Sequence, residues 1–344
     1  MPNHAFFNKL FAQSVAVDLG TANTLIYMHG KGIVLDQPSV VCFQKTASAD
    51  PGPIAAIGVQ AKQLLGRSPS NLEAVRPLQH GVIANFSAAQ RMFRGFVEMA
   101  QLRSIFGRRA EFTICVPGNA TEVERRAIRE AALSAGAWRV NLIDEALAAA
   151  VGAGLPVAEP RGSMVVAIGG GTTEVGVVTL GGVAHRNSIR VGGDQFDAAI
   201  TSHIRTMYGV VLGEQTAEHI KKTIGTAISN VPQERMTAVG RSLADGLPRT
   251  IELTNHDVAD ALAVPLKAVI GAVKGVLESA PPELITDIAD AGIVLTGGGA
   301  LLANLDRRLM EETGLDVRVA DEPLTCAVRG ASAAAGCVDA AAFQ

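Results

Sequence analysis

The sequence predicts an α/β protein of two similar lobes facing each other across a cleft. Three observations carry that expectation. An apolar strand that runs into a small Gly/Thr turn and leaves along a second apolar strand occurs around residue 18, and again around residue 167. A third strand and glycine turn follow at residues 293–300. At 344 residues the chain is also long enough for two domains, with one large α/β domain as the competing arrangement.

In the first unit, Ser14-Val15-Ala16-Val17 leads into Asp18-Leu19-Gly20-Thr21, and the apolar character resumes at Leu25-Ile26-Tyr27. This is the pattern of a hairpin whose loop has the size of a phosphate. Residues 33–75 carry Pro38, Pro51, Pro53 and Pro69 and suggest a small inserted subdomain. Helical patterns follow at 86–106 and 121–135, with a short buried strand at 112–116 between them. Thr121 with Glu124 three residues on marks the second helix start. Residues 144–154 read as a small-residue helix crossing between the halves, which places the first lobe at 14–150.

The second unit opens with Met164-Val165-Val166-Ala167-Ile168 and the turn Gly169-Gly170-Gly171-Thr172-Thr173. Aligning the two turns sets Asp18 opposite Ala167, 149 positions later. A repeat at that distance suggests a duplicated domain rather than a solenoid; chance similarity of two Gly-rich hairpins is the alternative. A helix after Val191-Gly192-Gly193, a polar helix from Glu214, and a mixed stretch at 227–253 continue the lobe. Its insertion is expected at about 186–254, its end near 320, and residues 321–344 are expected to return to the first lobe.

Composition narrows the function. Apolar residues make up 48% but aromatics 4%, so Val, Ile, Leu and Ala must build the core. A net charge of −3 argues against an electrostatic nucleic-acid binder. Cys42, Cys115, Cys326 and Cys337 lie far apart, without metal-ligand spacing, and read as reduced thiols of a cytoplasmic protein. No apolar run reaches the roughly 18–20 residues that span a bilayer.

A polyphosphate needs several converging N–H donors, and side chains at the turn would block its approach. Glycine removes the block, while Thr and Ser hydroxyls add donors. The chain offers Gly20-Thr21-Ala22-Asn23, Gly169–Thr173 and Gly297-Gly298-Gly299-Ala300. None matches the Walker pattern or G-x-G-x-x-G, which disfavours P-loop and dinucleotide-binding folds.

The segments VAVDLGTANTLIY, NLIDEALAAAVGAGLP, VVAIGGGTTEVGVV, IRVGGDQFDAAI, EQTAEHIKKTIGTA and GIVLTGGGALLANLD resemble the motifs of the actin/Hsp70/sugar-kinase ATPase superfamily. Within it they are similar to the MreB family of bacterial actin homologues, in consistent order from about residue 14 to 330. The resemblance implies an actin-like fold: duplicated ribonuclease-H-like domains, a nucleotide cleft between them, and small inserted subdomains. It implies ATP or ADP with Mg2+ as ligands. Asp18 would reach the metal through water, while Thr21, Ala22, Asn23, Gly169, Gly170 and Gly171 would contact phosphates. Glu145 would position the attacking water, with Thr172 beside it. Glu218, His219, Ile220 and Lys221 would line the adenosine pocket, and Gly297, Gly298, Gly299 and Ala300 would pass the α-phosphate and base. On residue chemistry alone, Glu145 reads more readily as an acid favoured at a helix N-terminus.

Two departures stand out. The family carries Asp immediately before the second turn, where this chain has Ala167, and Pro after the catalytic Glu, where it has Ala146. The first implies weakened ATP hydrolysis with nucleotide binding retained; the second affects loop rigidity. The resemblance further implies self-assembly into filaments at the inner face of the cytoplasmic membrane, with cell-shape or wall-synthesis membrane proteins as partners. A small-molecule kinase of the same superfamily, or a filament that positions organelles or plasmids, is the alternative.

Phe6, Phe7, Leu10 and Phe11 share one helical face opposite Asn8 and Lys9, the spacing of a short interfacial anchor over residues 1–13. A packed or disordered tail is the competing explanation. Leu102, Ile105 and Phe106, flanked by Arg103, Arg108 and Arg109, form a candidate second insertion point. A core-facing helix end explains them nearly as well.

Overall fold

The computed structural model describes residues 13–46, 51–102 and 110–337. Two five-stranded sheets dominate it. The first is ordered Gly32–Pro38, Asn23–Met28, Gln13–Leu19, Ala110–Val116, Arg139–Asp144. The second is ordered Gly182–Ile189, Thr173–Thr179, Ser163–Ile168, Ile293–Thr296, Val317–Val319. In both, the first three strands form an antiparallel meander and the last two join in parallel. Register repeats as well: Asp18 pairs with Leu25, and Ala167 pairs with Glu174. The spacing of 149 residues therefore holds for both partners.

Each sheet takes in one strand more than the sequence suggested. Gly32–Pro38 and Gly182–Ile189 extend the main hairpins, so the small three-stranded sheets begin only at Val41 and Val210. Prolines misled the reading at the first of these: Pro38 closes a strand whose outer neighbour is absent, a position where no N–H is needed.

Each lobe has its own apolar core. Val17, Ile26, Phe93 and Phe112 lie in the first, where the two aromatic rings meet edge to face at 6.1 Å. Phe196, Ile200, Leu262 and Leu295 lie in the second. Between the sheets runs a third cluster rich in alanine, including Ala16, Ala146, Ala149, Ala167 and Ala331. It joins strands of both sheets to the helices Glu145–Gly152 and Cys326–Cys337, which pack on each other, the latter also against the first sheet.

These two helices touch backbone to backbone. A methyl group on Gly330 would overlap the Ala148 carbonyl, and one on Gly152 would overlap the Cys326 carbonyl. Small residues let the helices lie close enough for both sheets to reach the same cleft.

The helix Glu122–Ser134 carries the expected capping box: Thr121 accepts from the Glu124 N–H, and Glu124 accepts from that of Thr121. The helical pattern at 86–106 is realised as Phe86–Met99. Leu102, expected as a membrane-insertion residue, is instead 2% exposed in the first core. An apolar side chain with core neighbours gains more from that contact than from solvent exposure. Phe6, Phe7, Leu10, Phe11, Ile105 and Phe106 lie outside the described residues. No helix among the described residues is long and apolar enough to cross a membrane.

Replacing Gly330 with Ala should destabilise the protein by about 1–3 kcal/mol, the range for overpacked interiors. The urea midpoint measures it, and an unchanged midpoint would show that the helices can part.

Candidate functional site

The three glycine turns converge. Residues from Gly20–Asn23, Gly169–Thr172 and Gly297–Gly299 line one cavity of about 930 Å³ between the lobes. The first two turns touch: a methyl group on Gly170 would stand 2.6 Å from the Ala22 Cβ, and one on Gly171 would stand 2.6 Å from the Thr21 Oγ1. Any larger residue would force the turns, and with them the sheets, apart. Thr21 Oγ1 also accepts from the Gly81 N–H at 2.9 Å, which ties the turn to the neighbouring loop.

Asp18 and Glu145 line the same cavity together with Ala167 and Cys115. Among the described residues neither acid has an ion-pair partner. Burial pushes the Asp18 carboxyl up to about 6. Glu145 is pushed well above the usual carboxylate range by burial first, then by Asp18, Glu174 and Asp144. Burial likewise lifts Glu174 to about 7, against hydrogen bonds from Ser188 and the Gly118 N–H. Four carboxyl groups thus crowd a site that faces an open cavity, an arrangement that a cationic ligand relieves.

The cavity's far end is lined by Glu218 and Lys221 from the helix Glu214–Ile224. Lys221 Nζ binds Asp197 Oδ1 at 2.8 Å and the Gly193 carbonyl at 2.9 Å. Glu218 reaches across the cleft to Lys62 at 2.6 Å, and Gln215 donates to the Lys62 carbonyl at 2.7 Å. Burial alone would raise Glu218, but its bonds from Lys222 and Lys62 bring it down to about 2.

Three expected contacts fall elsewhere. His219 and Ile220 do not line the cavity: at about 100° per residue, the helix that presents Glu218 and Lys221 turns Ile220 into the second core and His219 to solvent. Ala300 is buried in that core, 3% exposed, because the turn continues into a 3-10 helix that points it inward. Lys62, Arg76 and Asn304 line the cavity and were missed. Lys62 sits in the segment read as an inserted subdomain and Arg76 just after it, and no local pattern marks either.

The residues fit a magnesium–nucleotide complex. Thr296 Oγ1 is buried in the cavity wall without a hydrogen-bond partner. The described residues contain no cluster of three metal-ligating side chains. A hard cation here would take phosphate oxygens and water as its main ligands, with Asp18 beside them.

Two sheets of one topology, closing through glycine turns on one shared cavity, define an actin-like fold with a nucleotide-binding cleft. Among solved structures, MreB5 of Spiroplasma citri bound to AMPPNP aligns with a TM-score of 0.89 and 31% identity, covering 95% of this chain and 97% of that one. The MamK double helical filament aligns at 0.80, with 19% identity and coverage of 94% and 99%, and shares the fold. Residues 12–342 match the MreB/Mbl protein family. The cell shape-determining protein MreB of Escherichia coli K12 is 50% identical over 333 residues, 97% of this chain and 96% of its own length. Mbl of Bacillus subtilis is 42% identical over 321 residues, with 93% and 95% covered. The chain belongs to the MreB/Mbl family.

The raised carboxyls give a pH dependence with a definite sign. For acids held above their ordinary values, their contribution to stability is complete below those values and is lost as pH rises through about 6 to 7. The ligand-free chain should therefore lose stability from about pH 4 to about pH 7, while Mg-ATP should stabilise it increasingly over that interval. Thermal melts across pH measure both, and Asp18→Asn should flatten the trend. A melting temperature that rises with pH in the ligand-free chain, also in Asp18→Asn, would contradict it.

Proposed function

We propose that this chain is an ATP-dependent cytoskeletal protein that assembles with its own copies into actin-like filaments and acts in determining cell shape. The convergence of turns from both lobes on one cavity with Asp18 and Glu145 in its wall carries the reading. Relatives support it: MreB5 of Spiroplasma citri is known with AMPPNP and with ADP bound, and MamK as a double helical filament.

In this reading Thr21, Ala22 and Asn23 hold phosphates from one lobe, and Gly169, Gly170 and Gly171 from the other. Gly297–Gly299 pass beside the α-phosphate, and Glu218 and Lys221 orient the adenosine. Asp18 would stand beside a cation bound to those phosphates. A bound magnesium ion would neutralise charge on the phosphate oxygens. Glu145 holds the water for in-line attack with Thr172 beside it, giving ADP and phosphate. Positioning and charge stabilisation supply most of the catalysis in such transfers.

Ala167 makes that step slow. It lines the cavity opposite Asp18 in the duplication and contributes no carboxylate there. Groups around a metal's water shell typically matter about 10–100-fold. Ala167→Asp should therefore raise phosphate release by at least about tenfold, and Glu145→Ala in that background should remove the gain. Equal turnover in the parent chain and Ala167→Asp would make residue 167 a packing position only. Saturating Mg-ATP should raise the melting temperature of the parent chain, and no shift would sink the nucleotide reading.

The filaments act at the inner face of the cytoplasmic membrane, beside membrane proteins of shape control and wall synthesis. Residues 1–13 supply the anchor: single anchors of this size bind weakly, and repetition along a filament provides avidity. The chain should pellet with ATP, and lipid vesicles should enhance pelleting. Deleting residues 1–13 should abolish vesicle recruitment and spare filaments. Vesicle binding that survives this deletion combined with Phe106→Ser would rule out the anchor.

A further inference from the structure

Behind Glu145 lies a set of contacts that the nucleotide reading does not use. Asp144 closes the last strand of the first sheet and caps the helix Glu145–Gly152, its Oδ1 accepting from the Ala146 N–H at 3.0 Å. Its second oxygen, Oδ2, is bound by Arg186 Nη1 at 2.9 Å. Arg186 belongs to Gly182–Ile189, the edge strand of the opposite sheet. The two residues come from different lobes, and each Asp144 oxygen has its own partner.

The surroundings hold this pair in place. Gly118 packs against it so closely that a methyl group there would stand 3.1 Å from the Arg186 Cδ and 3.2 Å from Asp144 Oδ2. The Gly118 N–H donates to Glu174 Oε2 at 3.1 Å, and Ser188, two residues from Arg186, donates to the other Glu174 oxygen. Two bonds, Arg186 to Asp144 and the Gly118 N–H to Glu174, thus join the two lobes beside the start of the helix, and Ser188 steadies Glu174 from within the second sheet. Arg186 is bound to Asp144, and its positive charge also acts on the Glu174 carboxyl.

We propose that Arg186 is a positioning residue for Glu145: through Asp144 it fixes, from the opposite lobe, the first turn of the helix that carries the water-holding carboxylate. The assignment rests on the reading of Glu145 given above. Without Arg186, Asp144 keeps its cap but loses the partner that sets its carboxylate plane. The helix start is then free to shift, and displacements of about 1 Å can cost up to about a hundredfold in rate. Arg186 is half exposed and lies outside both cores, so its replacement should leave the fold intact.

Single-turnover phosphate release from bound ATP tests the assignment, in the parent chain and in the Ala167→Asp background. Arg186→Ala should slow release by about tenfold or more, with KM for ATP and ATP-induced thermal stabilisation unchanged. Arg186→Lys should recover most of the rate. Asp144→Asn retains an oxygen for the Ala146 N–H but loses the ion pair, so it should cost about as much, and the double variant no more than either alone. Additive losses, a matching rise in KM, or a rate equal to the parent's would overturn the role. If Glu145→Ala itself left release unchanged, the reading of Glu145 would fail and this role with it. Release that depends on Glu145 but not on Arg186 or Asp144 would remove this assignment alone.

Discussion

The cleft depends on the contact between two turns from opposite lobes. Gly170 and Gly171 lie against Ala22 and Thr21 at separations that leave no room for a side chain. That contact sets the distance between the sheets. Everything in the interlobe layer is scaled to it: the alanines of Glu145–Gly152, and the glycines that let this helix meet Cys326–Cys337 without intervening side chains. A core of larger residues here would hold the turns apart, and the donors would no longer converge on one ligand.

Bringing the turns together also concentrates charge. Asp18, Asp144, Glu145 and Glu174 come from both sheets, and Arg186 on Asp144 offsets part of their repulsion. Polyphosphate alone would add to that repulsion, and a divalent cation carried with it would offset part of it. Ala167 lightens the cluster by one carboxylate relative to the family pattern.

Much of this was legible because the duplicated hairpin is local. Strand, turn and returning strand lie within about twenty residues, and the alternation and glycines that encode them are contiguous. What escaped lay beyond that range. The helix Asn255–Ser279 went unread although Thr254 and Asp257 form a capping box at its start; Pro265, buried in its middle, interrupts the expected pattern. Lys62 and Glu218 meet across 156 residues, and no spacing in the chain announces that pair.

The sequence by itself determined the repeat, the glycine turns, the family and the missing carboxylate at residue 167. These are properties of backbone conformation and short-range order, which individual residues dictate. Only the tertiary structure decided which neighbours on a helix face the ligand. Glu218 lines the cavity and Ile220, two positions on, fills a core, because burial of apolar surface chose the helix's orientation. It also decided that Leu102 packs inside and that Arg186 stands behind Glu145. Those outcomes depend on what lies opposite in space, and a linear pattern carries no record of that.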